Sequence, residues 1–192
     1  YPISVLNNSN ARQYVDGSAF HLYGGDINDL SELKNTHPDK NLYFTEQWVG
    51  APGNLYGDLR WHIRNLIIGA TRNWCKTIIE WNLASDENQK PHTEGGCSSC
   101  LGAVTITGNS VQRNTAYYVI AHASKFVPPG SVRLHSSNSS TLPNVSFLTP
   151  EEKIVTIVLN DSSNKINFNI ILDGKDIHSS LNAGAIGTFV LN

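Results

Sequence analysis

Three short apolar runs in the first part of the chain end in polar or aromatic residues, and a loop follows each of them. The runs are Ser18–Gly25, Leu42–Trp48 and Thr77–Asn82. Buried strands of a parallel sheet have this pattern when they deliver side chains into a pocket at their carboxyl ends. Because all three runs end alike, we predict three strands that share one pocket.

The segments between these runs predict helices. Asp26 can cap a short helix that stops before Pro38. A second helix, starting near Gly57–Asp58, is indicated by apolar residues at helical spacing, namely Leu59, Ile63, Leu66, Ile67 and Ala70. Strands that alternate with helices predict right-handed βαβ units and a parallel sheet.

Less regular segments lie around this pattern. Residues Tyr1–Gln13 are polar and rich in Asn, which predicts a linker or the tail of a loop. Leu83–Leu101 predicts a long polar loop, and loops of this length are often functional. Val104–Thr107 then predicts a strand, and Asn114–Phe126 a helix.

From Ser131 onward the pattern changes to short strands separated by Asn, Ser, Asp and Gly. The predicted strands are Ser131–His135, Val145–Leu148, Lys153–Asn160, Lys165–Leu172 and Ala185–Leu191. Asp173–Gly174 suits a tight hairpin turn. We therefore predict two domains, an α/β domain over residues 1–130 and an antiparallel β-sandwich over residues 131–192.

The α/β part raises a physical difficulty, because three parallel strands do not close a barrel. A (β/α)8 barrel needs eight such units over ~250 residues, and fewer strands leave a buried type of sheet edge open to water. The chain is either the C-terminal part of a larger enzyme or an open-sheet protein. The first interpretation is favoured.

Composition and charge exclude several classes. The chain has 192 residues, 16% of them charged, with a net charge of -2, and contains no basic run of the kind that binds nucleic acid. No apolar run approaches the ~20 residues that span a bilayer. Because the N-terminus lacks signal-peptide features and does not begin with Met, we expect a mature or truncated chain.

Asn-x-Ser/Thr sequons would fit secretion, although a chain rich in Asn and Ser produces them by chance. They begin at Asn7, Asn138, Asn144 and Asn160. A secreted or periplasmic protein is therefore the expectation.

The cysteines leave two alternatives open. Cys97 and Cys100 form a Cys-x-x-Cys in a Gly-rich loop, and Cys75 stands alone. A zinc site needs two more ligands, and His92 is the only one nearby. We therefore expect a small disulfide loop or a pair of thiols, and neither a metal nor a cofactor.

Glu46 is the main candidate for chemistry, since it ends the second run abruptly with a carboxylate. A single Glu after a strand is most often a solvated loop residue. However, functional groups of parallel sheets gather at the carboxyl ends of strands. That rule brings together the candidate residues His21, Tyr23, Glu46, Trp81 and Asn82. Glu80 is left out, because alternation along the strand points it away from Trp81.

At these residues the chain resembles the C-terminal half of glycoside hydrolase family 30, which contains glucosylceramidases and endo-β-1,6-glucanases. The ordered motifs that carry the resemblance are His21–Tyr23, Phe44–Glu46, Trp81–Ala84, Gly95–Cys100 and Ser124–Ser131. The resemblance implies a (β/α)8 barrel with an attached β-sandwich, so that the three strands are barrel strands six to eight.

The resemblance also implies roles. Glu46 matches the family's nucleophile at the end of strand seven, and His21 and Tyr23 match residues of strand six that line the sugar subsite. Trp81 matches the aromatic residue of strand eight beneath the sugar, with Asn82 beside it. A retaining glycosidase needs a second carboxylic acid ~5–5.5 Å from the nucleophile. The family carries it on strand four in an Asn-Glu-Pro context, and this chain has no such tripeptide.

We therefore expect a retaining β-glycosidase that hydrolyses β-glucosidic linkages of an oligo- or polysaccharide. This chain would carry the nucleophile but not the acid/base, and its partner would be the missing N-terminal part of the enzyme. One alternative is a non-catalytic carbohydrate-binding or structural fragment that uses the sandwich and the aromatic residues near Trp81. Another is an open-sheet protein in which Glu46 forms a salt bridge.

Overall fold

The first part of the chain alternates helices and strands around a small parallel sheet. The computed structural model describes residues 1–192, which form two compact units, Tyr1–Ile120 and Ala121–Asn192. The helices of the first unit are α1 (Pro2–Leu6), α2 (Ser9–Arg12), α3 (Leu30–Thr36), α4 (Leu55–His62) and α5 (Thr115–Ser124). Helix α5 begins in the first unit and ends in the second. Its strands are β1 (Gly17–His21), β2 (Asn41–Glu46), β3 (Val49–Gly50), β4 (Cys75–Ile78), β5 (Ala84–Ser85), β6 (Cys100–Leu101), β7 (Val104–Thr107) and β8 (Ser110–Arg113).

The three predicted parallel strands are confirmed. They form one sheet in the order β1–β2–β4, with both neighbouring pairs parallel. β1 ends at His21 and β4 at Ile78, so both are shorter than the sequence pattern predicts. Beyond β4 the chain stays beside β2, because Trp81 forms an isolated parallel bridge with Trp48.

Helices pack one face of this sheet and bury it. The buried residues of that core are Leu6, Leu30, Leu33, Leu42, Phe44, Leu66, Ala70 and Cys75. Each fully buried aliphatic side chain contributes about 1.5–3 kcal/mol. This core fixes the position of β2, which carries Glu46.

Helix α4 begins two residues earlier than predicted, because Asn54 caps it. The Asn54 side chain accepts a hydrogen bond of 3.0 Å from the Gly57 amide. The helix continues as a π-helix over Ile63–Ala70, which buries Ile68 in addition to most of the predicted face. The amphipathic helix itself is confirmed.

The prediction of a linker over the first thirteen residues is wrong. The segment forms α1 and α2, and Leu6 is only 1% exposed in the core of the sheet. Asn8 caps α2 by accepting hydrogen bonds from the amides of Asn10 and Ala11. Ile3, Val5 and Leu6 are the only large aliphatic residues of this segment, which is too few to show a helical period.

The long loop after β4 contains short strands. β6 pairs antiparallel with β3, β5 pairs parallel with β7, and β7 forms a hairpin with β8, whose residues are all exposed. A disulfide joins Cys97 to Cys100, which decides between the two alternatives, and Cys75 is a buried free thiol.

The second unit is entirely β-structure after the end of α5. Its strands are β9 (Val132–Leu134), β10 (Asn144–Leu148), β11 (Ile154–Leu159), β12 (Ile166–Leu172), β13 (Lys175–Leu181) and β14 (Ile186–Leu191). An antiparallel sheet has the order β14–β11–β10–β9, and β12 and β13 form a separate hairpin. Every predicted strand is present, and the hairpin turn at Asp173–Gly174 is confirmed by the positive φ of both residues. β13 was missed because Ile177 and Leu181 are its only apolar residues.

The division between the units falls within α5. The domain boundary at residue 130 stays a prediction. No helix has both the length and the apolar character required to cross a membrane.

Candidate functional site

A β-bulge turns Glu46 toward β1. Strict alternation along β2 would place Glu46 on the same face as Leu42 and Phe44, which pack in the helix-covered core. Phe20 pairs with Phe44, but the next residue, His21, pairs with Glu46, so β2 contains one extra residue at this point. A bulge re-aims the side chain that follows it. Glu46 therefore reaches His21 and Tyr23 on the opposite face.

The carboxylate of Glu46 is held from the β1 side. The Tyr23 hydroxyl donates a hydrogen bond of 2.9 Å to Glu46 Oε1. His21 Nδ1 lies 3.7 Å from the same oxygen. The rings of His21 and Tyr23 meet edge to face, with their centroids 5.7 Å apart. The Glu46 side chain is 32% exposed, so a ligand can reach it. The structure thus brings three of the predicted site residues into one cluster.

Burial and negative charge raise the pKa of Tyr23 well above its usual value. Partial desolvation is the largest cause, followed by the hydrogen bond to Glu46 and by the charges of Glu46 and Glu80. A raised pKa keeps the phenol protonated. Tyr23 is therefore a hydrogen-bond donor to Glu46 throughout the neutral range.

Gln47 connects the ends of the three strands, and sequence reasoning missed it. Its side chain is buried, and Nε2 donates a hydrogen bond of 3.0 Å to the Leu22 carbonyl. Its Oε1 accepts from the Trp48 amide, and its own carbonyl accepts from the Trp81 amide at 2.6 Å. One signal in the sequence could have identified Gln47. It is a polar amide directly after a buried strand, where a buried side chain of this kind needs a hydrogen-bond partner on the backbone.

Trp81 and Asn82 follow β4 and are placed by the backbone. The bridge to Trp48 keeps Trp81 beside the end of β2, and the Trp81–Asn82 peptide bond is cis. Trp81 is 47% exposed, so part of its ring is open to a ligand. The Asn82 carbonyl accepts a hydrogen bond of 2.7 Å from the Ala103 amide, and its Oδ1 is buried without a partner.

Glu80 points away from Trp81, as alternation predicts. It pairs with His62 of α4 at 2.7 Å between Oε1 and Nδ1. Both side chains are almost fully buried, with 3% and 6% exposure. No pattern in the sequence indicated His62 as the partner of Glu80. The pair anchors the segment after β4 to α4, directly before Trp81.

The cluster combines groups that suit a sugar. A carboxylate can attack or stabilise a carbon that develops positive charge, and an aromatic face packs against the apolar side of a pyranose. Phenol and imidazole groups can donate hydrogen bonds to hydroxyls. The structure contains no group of three or more His, Cys, Asp or Glu residues that could hold a metal ion.

Comparison with known families agrees with this chemistry. Residues 1–127 match the glycosyl hydrolase family 30 TIM-barrel domain, and residues 130–189 match the β-sandwich domain of the same family. The chain belongs to glycoside hydrolase family 30. The resemblance noted from the sequence and the predicted fold class are both confirmed.

Several characterised family 30 proteins are similar to this chain. An endo-1,6-β-D-glucanase from Aspergillus fumigatus is 32% identical over all of the chain and 40% of its own length. The lysosomal acid glucosylceramidase of Mus musculus is 28% identical over 86% of the chain and 35% of its own length. The solved structure of an endo-β1,6-glucanase superposes on the whole chain with a TM-score of 0.91 at 29% identity, covering 44% of that structure.

The chain thus spans about 40% of the length of the family 30 relatives that it matches. Family membership supports hydrolase chemistry on glycosides. The individual roles of His21, Tyr23, Glu46, Trp81 and Asn82 stay predictions.

Proposed function

We propose that this chain supplies the nucleophile and part of the sugar subsite of a retaining β-glycosidase. The enzyme would hydrolyse β-glucosidic linkages in an oligo- or polysaccharide. The observation that carries the proposal is the contact between Glu46 and Tyr23 at the carboxyl ends of adjacent parallel strands. The similarity to endo-1,6-β-glucanases supports a glucan as the substrate.

In the proposed reaction, Glu46 attacks the anomeric carbon and forms a covalent glycosyl ester. The leaving oxygen takes a proton from a second carboxylic acid, which then activates water to hydrolyse the ester. Because Tyr23 binds Oε1, we assign the attack to Oε2. Tyr23 would hold the carboxylate in the orientation for attack, and Trp81 would pack against the sugar ring.

The second carboxylic acid is proposed to come from a part of the protein outside these 192 residues. The relatives are about two and a half times as long as the stretch that this chain matches, which leaves room for it. Glu80 is unsuited to the role, because it is 3% exposed and engaged by His62. The remaining part of the same enzyme is therefore the proposed partner, and a secreted or periplasmic location the proposed compartment.

A mechanism-based label tests the nucleophile without requiring the acid/base. A 2-deoxy-2-fluoro-β-D-glucoside with a dinitrophenolate leaving group needs no protonation to react, and the fluorine slows hydrolysis of the ester. We expect one sugar adduct, located by peptide mass analysis on Glu46. Glu46→Gln should abolish the adduct, whereas Glu32→Gln, at an exposed position on α3, should not.

Labelling of Glu46→Gln, or of another carboxylate, would contradict the assignment of the nucleophile. Binding of the sugar without any adduct would favour a carbohydrate-binding fragment. Hydrolysis of β-1,6-glucan by the intact enzyme, followed by NMR, reports the anomer released first. Release of the α-anomer would contradict a retaining mechanism.

A further inference from the structure

The four sequons of this chain have very different surroundings in the folded structure. N-glycosylation requires an Asn side chain that can carry a bulky, hydrated sugar at the surface. We propose that Asn7 and Asn138 carry N-linked glycans, whereas Asn144 and Asn160 stay unmodified in the folded protein. The proposal rests on passage through a eukaryotic secretory route, which extends the proposed location.

Asn160 uses its side-chain amide inside the second unit. The residue is 0% exposed, and Nδ2 donates hydrogen bonds to the carbonyls of Asn164, Leu181 and Asn182 at 2.7 to 3.0 Å. A glycan would replace one of the hydrogens that make these bonds and would have to occupy the protein interior. A chain modified there before folding could not complete this structure.

The rest of that sequon is engaged as well. Ser162 donates from its hydroxyl and its amide to Asn160 Oδ1, at 2.7 and 3.0 Å. The segment thus forms a closed turn around the buried amide. Asn160 is therefore a structural residue that happens to lie in a sequon.

Asn144 is held in a similar way at the start of β10. Its Nδ2 donates to the Ser137 carbonyl at 3.1 Å and to the Leu142 carbonyl at 2.9 Å. Both amide hydrogens are used, and the residue is only partly exposed. A glycan on Asn144 would break the contact that fixes the loop before β10.

Asn138 lies in the middle of that loop and is exposed, as is Ser140, the hydroxyl residue of its sequon. Its neighbours are anchored, since the Ser137 carbonyl accepts from Asn144 and Ser139 Oγ accepts from the Leu142 amide at 3.0 Å. Ser137 and Ser139 line a cavity beneath the loop, whereas Asn138 does not. A glycan on Asn138 would therefore extend into solvent without disturbing the loop.

Asn7 is exposed at the C-terminal end of α1. Only its backbone amide takes part in the helix, through a hydrogen bond of 2.9 Å to the Ile3 carbonyl. The next residue, Asn8, contributes the side chain that caps α2, which leaves the Asn7 side chain outside the capping interaction. Ser9, the third residue of the sequon, is also exposed.

The experiment uses the full-length parent enzyme secreted from yeast behind a supplied leader, so that its outcome does not depend on the native location. The folded fraction is selected by resistance to trypsin and treated with peptide N-glycosidase F in ¹⁸O-water, which marks each former glycan site as labelled Asp. We expect label on Asn7 and Asn138. Asn7→Gln and Asn138→Gln should each remove one glycan.

Label on Asn144 or Asn160 in the folded fraction, or its absence from Asn7 or Asn138, would overturn the proposal. Asn160→Gln gives a second readout, because it should lower the secreted yield without changing the number of glycans. Loss of a glycan in that variant would count against the proposal. The location of the native enzyme is a separate measurement, made on the parent organism.

Discussion

The Tyr23 hydroxyl donates a 2.9 Å hydrogen bond to Glu46 Oε1, joining the ends of β1 and β2. Hydrogen bonds to charged groups contribute about 1.5–3 kcal/mol. If this bond orients Glu46 for attack, Tyr23→Phe should slow covalent labelling by the fluorosugar about 10- to 100-fold, since about 1.4 kcal/mol corresponds to a factor of ten. The rate is followed by intact mass. Tyr56→Phe, an exposed position on α4, should leave the rate unchanged.

The same contact predicts how Tyr23 titrates. Its pKa is raised, so the phenol should remain protonated near pH 10, where a free tyrosine is half ionised. An absorbance titration at 295 nm should show a late component, to which Tyr43 also contributes through its hydrogen bond to Asp16. Tyr23→Phe should reduce that component. An unchanged late component in this variant would argue against the hydrogen bond.

The pair of His62 and Glu80 should be important for stability. Removing one partner of a buried pair leaves the other without compensation, which costs about 3–5 kcal/mol. We expect His62→Ala to lower the free energy of unfolding by this amount in urea denaturation. Glu80→Gln should lower it less, because the Gln side chain has nearly the same shape as Glu80. Lys153→Ala is the control, since its pair with Glu151 is exposed. Equal effects of His62→Ala and Lys153→Ala would contradict the prediction.

The sequence predicted the strand ends of the site but not how Glu46 is aimed. The abrupt change from Phe44 to a carboxylate marked the end of β2 correctly. Alternation alone would have turned the Glu46 side chain into the helix-covered core. The bulge opposite His21 turns it to the other face of the sheet. A bulge arises from pairing between strands, so the sequence of one strand does not reveal it.

The sequence also did not predict which elements that are distant in the chain contact one another. Glu80 follows β4, and its position on the side away from Trp81 followed from period-two alternation. Its partner His62 lies on α4, which precedes β4 in the chain. In the second unit, β13 was missed because its inward positions include Ser179, and the strand is specified by pairing with β12 instead. Periodicity predicts faces, while tertiary packing selects the partners.

Asn160 should contribute much more to stability than Asn138. Asn160→Ala removes a buried amide that serves three carbonyls, and each buried polar group left unsatisfied costs about 1–3 kcal/mol. The matched control, Asn138→Ala, makes the same change at an exposed position. We expect a large loss of unfolding free energy for the first variant and little change for the second. Similar losses in both would mean that the amide of Asn160 is not a structural group.

Cys75 should be unreactive in the folded protein, because burial raises its pKa to about 12. At pH 8 only about one thiol in ten thousand would then be ionised, and the thiolate is the reactive form. Without reductant, iodoacetamide should add nothing to the native chain and one group to the denatured chain, since Cys97 and Cys100 are joined. Adding reductant to the denatured chain should raise this to three, the total number of cysteines.

The raised pKa of Cys75 also has a consequence for stability. The unfolded thiol has the ordinary pKa of 9.0, whereas burial raises the pKa of the folded thiol to about 12. Between these two values, ionisation of the thiol in the unfolded chain favours unfolding. This contribution to stability is fully present below pH 9 and declines as the pH rises toward 12. Cys75→Ala should therefore reduce the fall in unfolding free energy measured between pH 8 and about pH 10. An identical pH dependence in the variant and the parent chain would show that Cys75 ionises equally in both states.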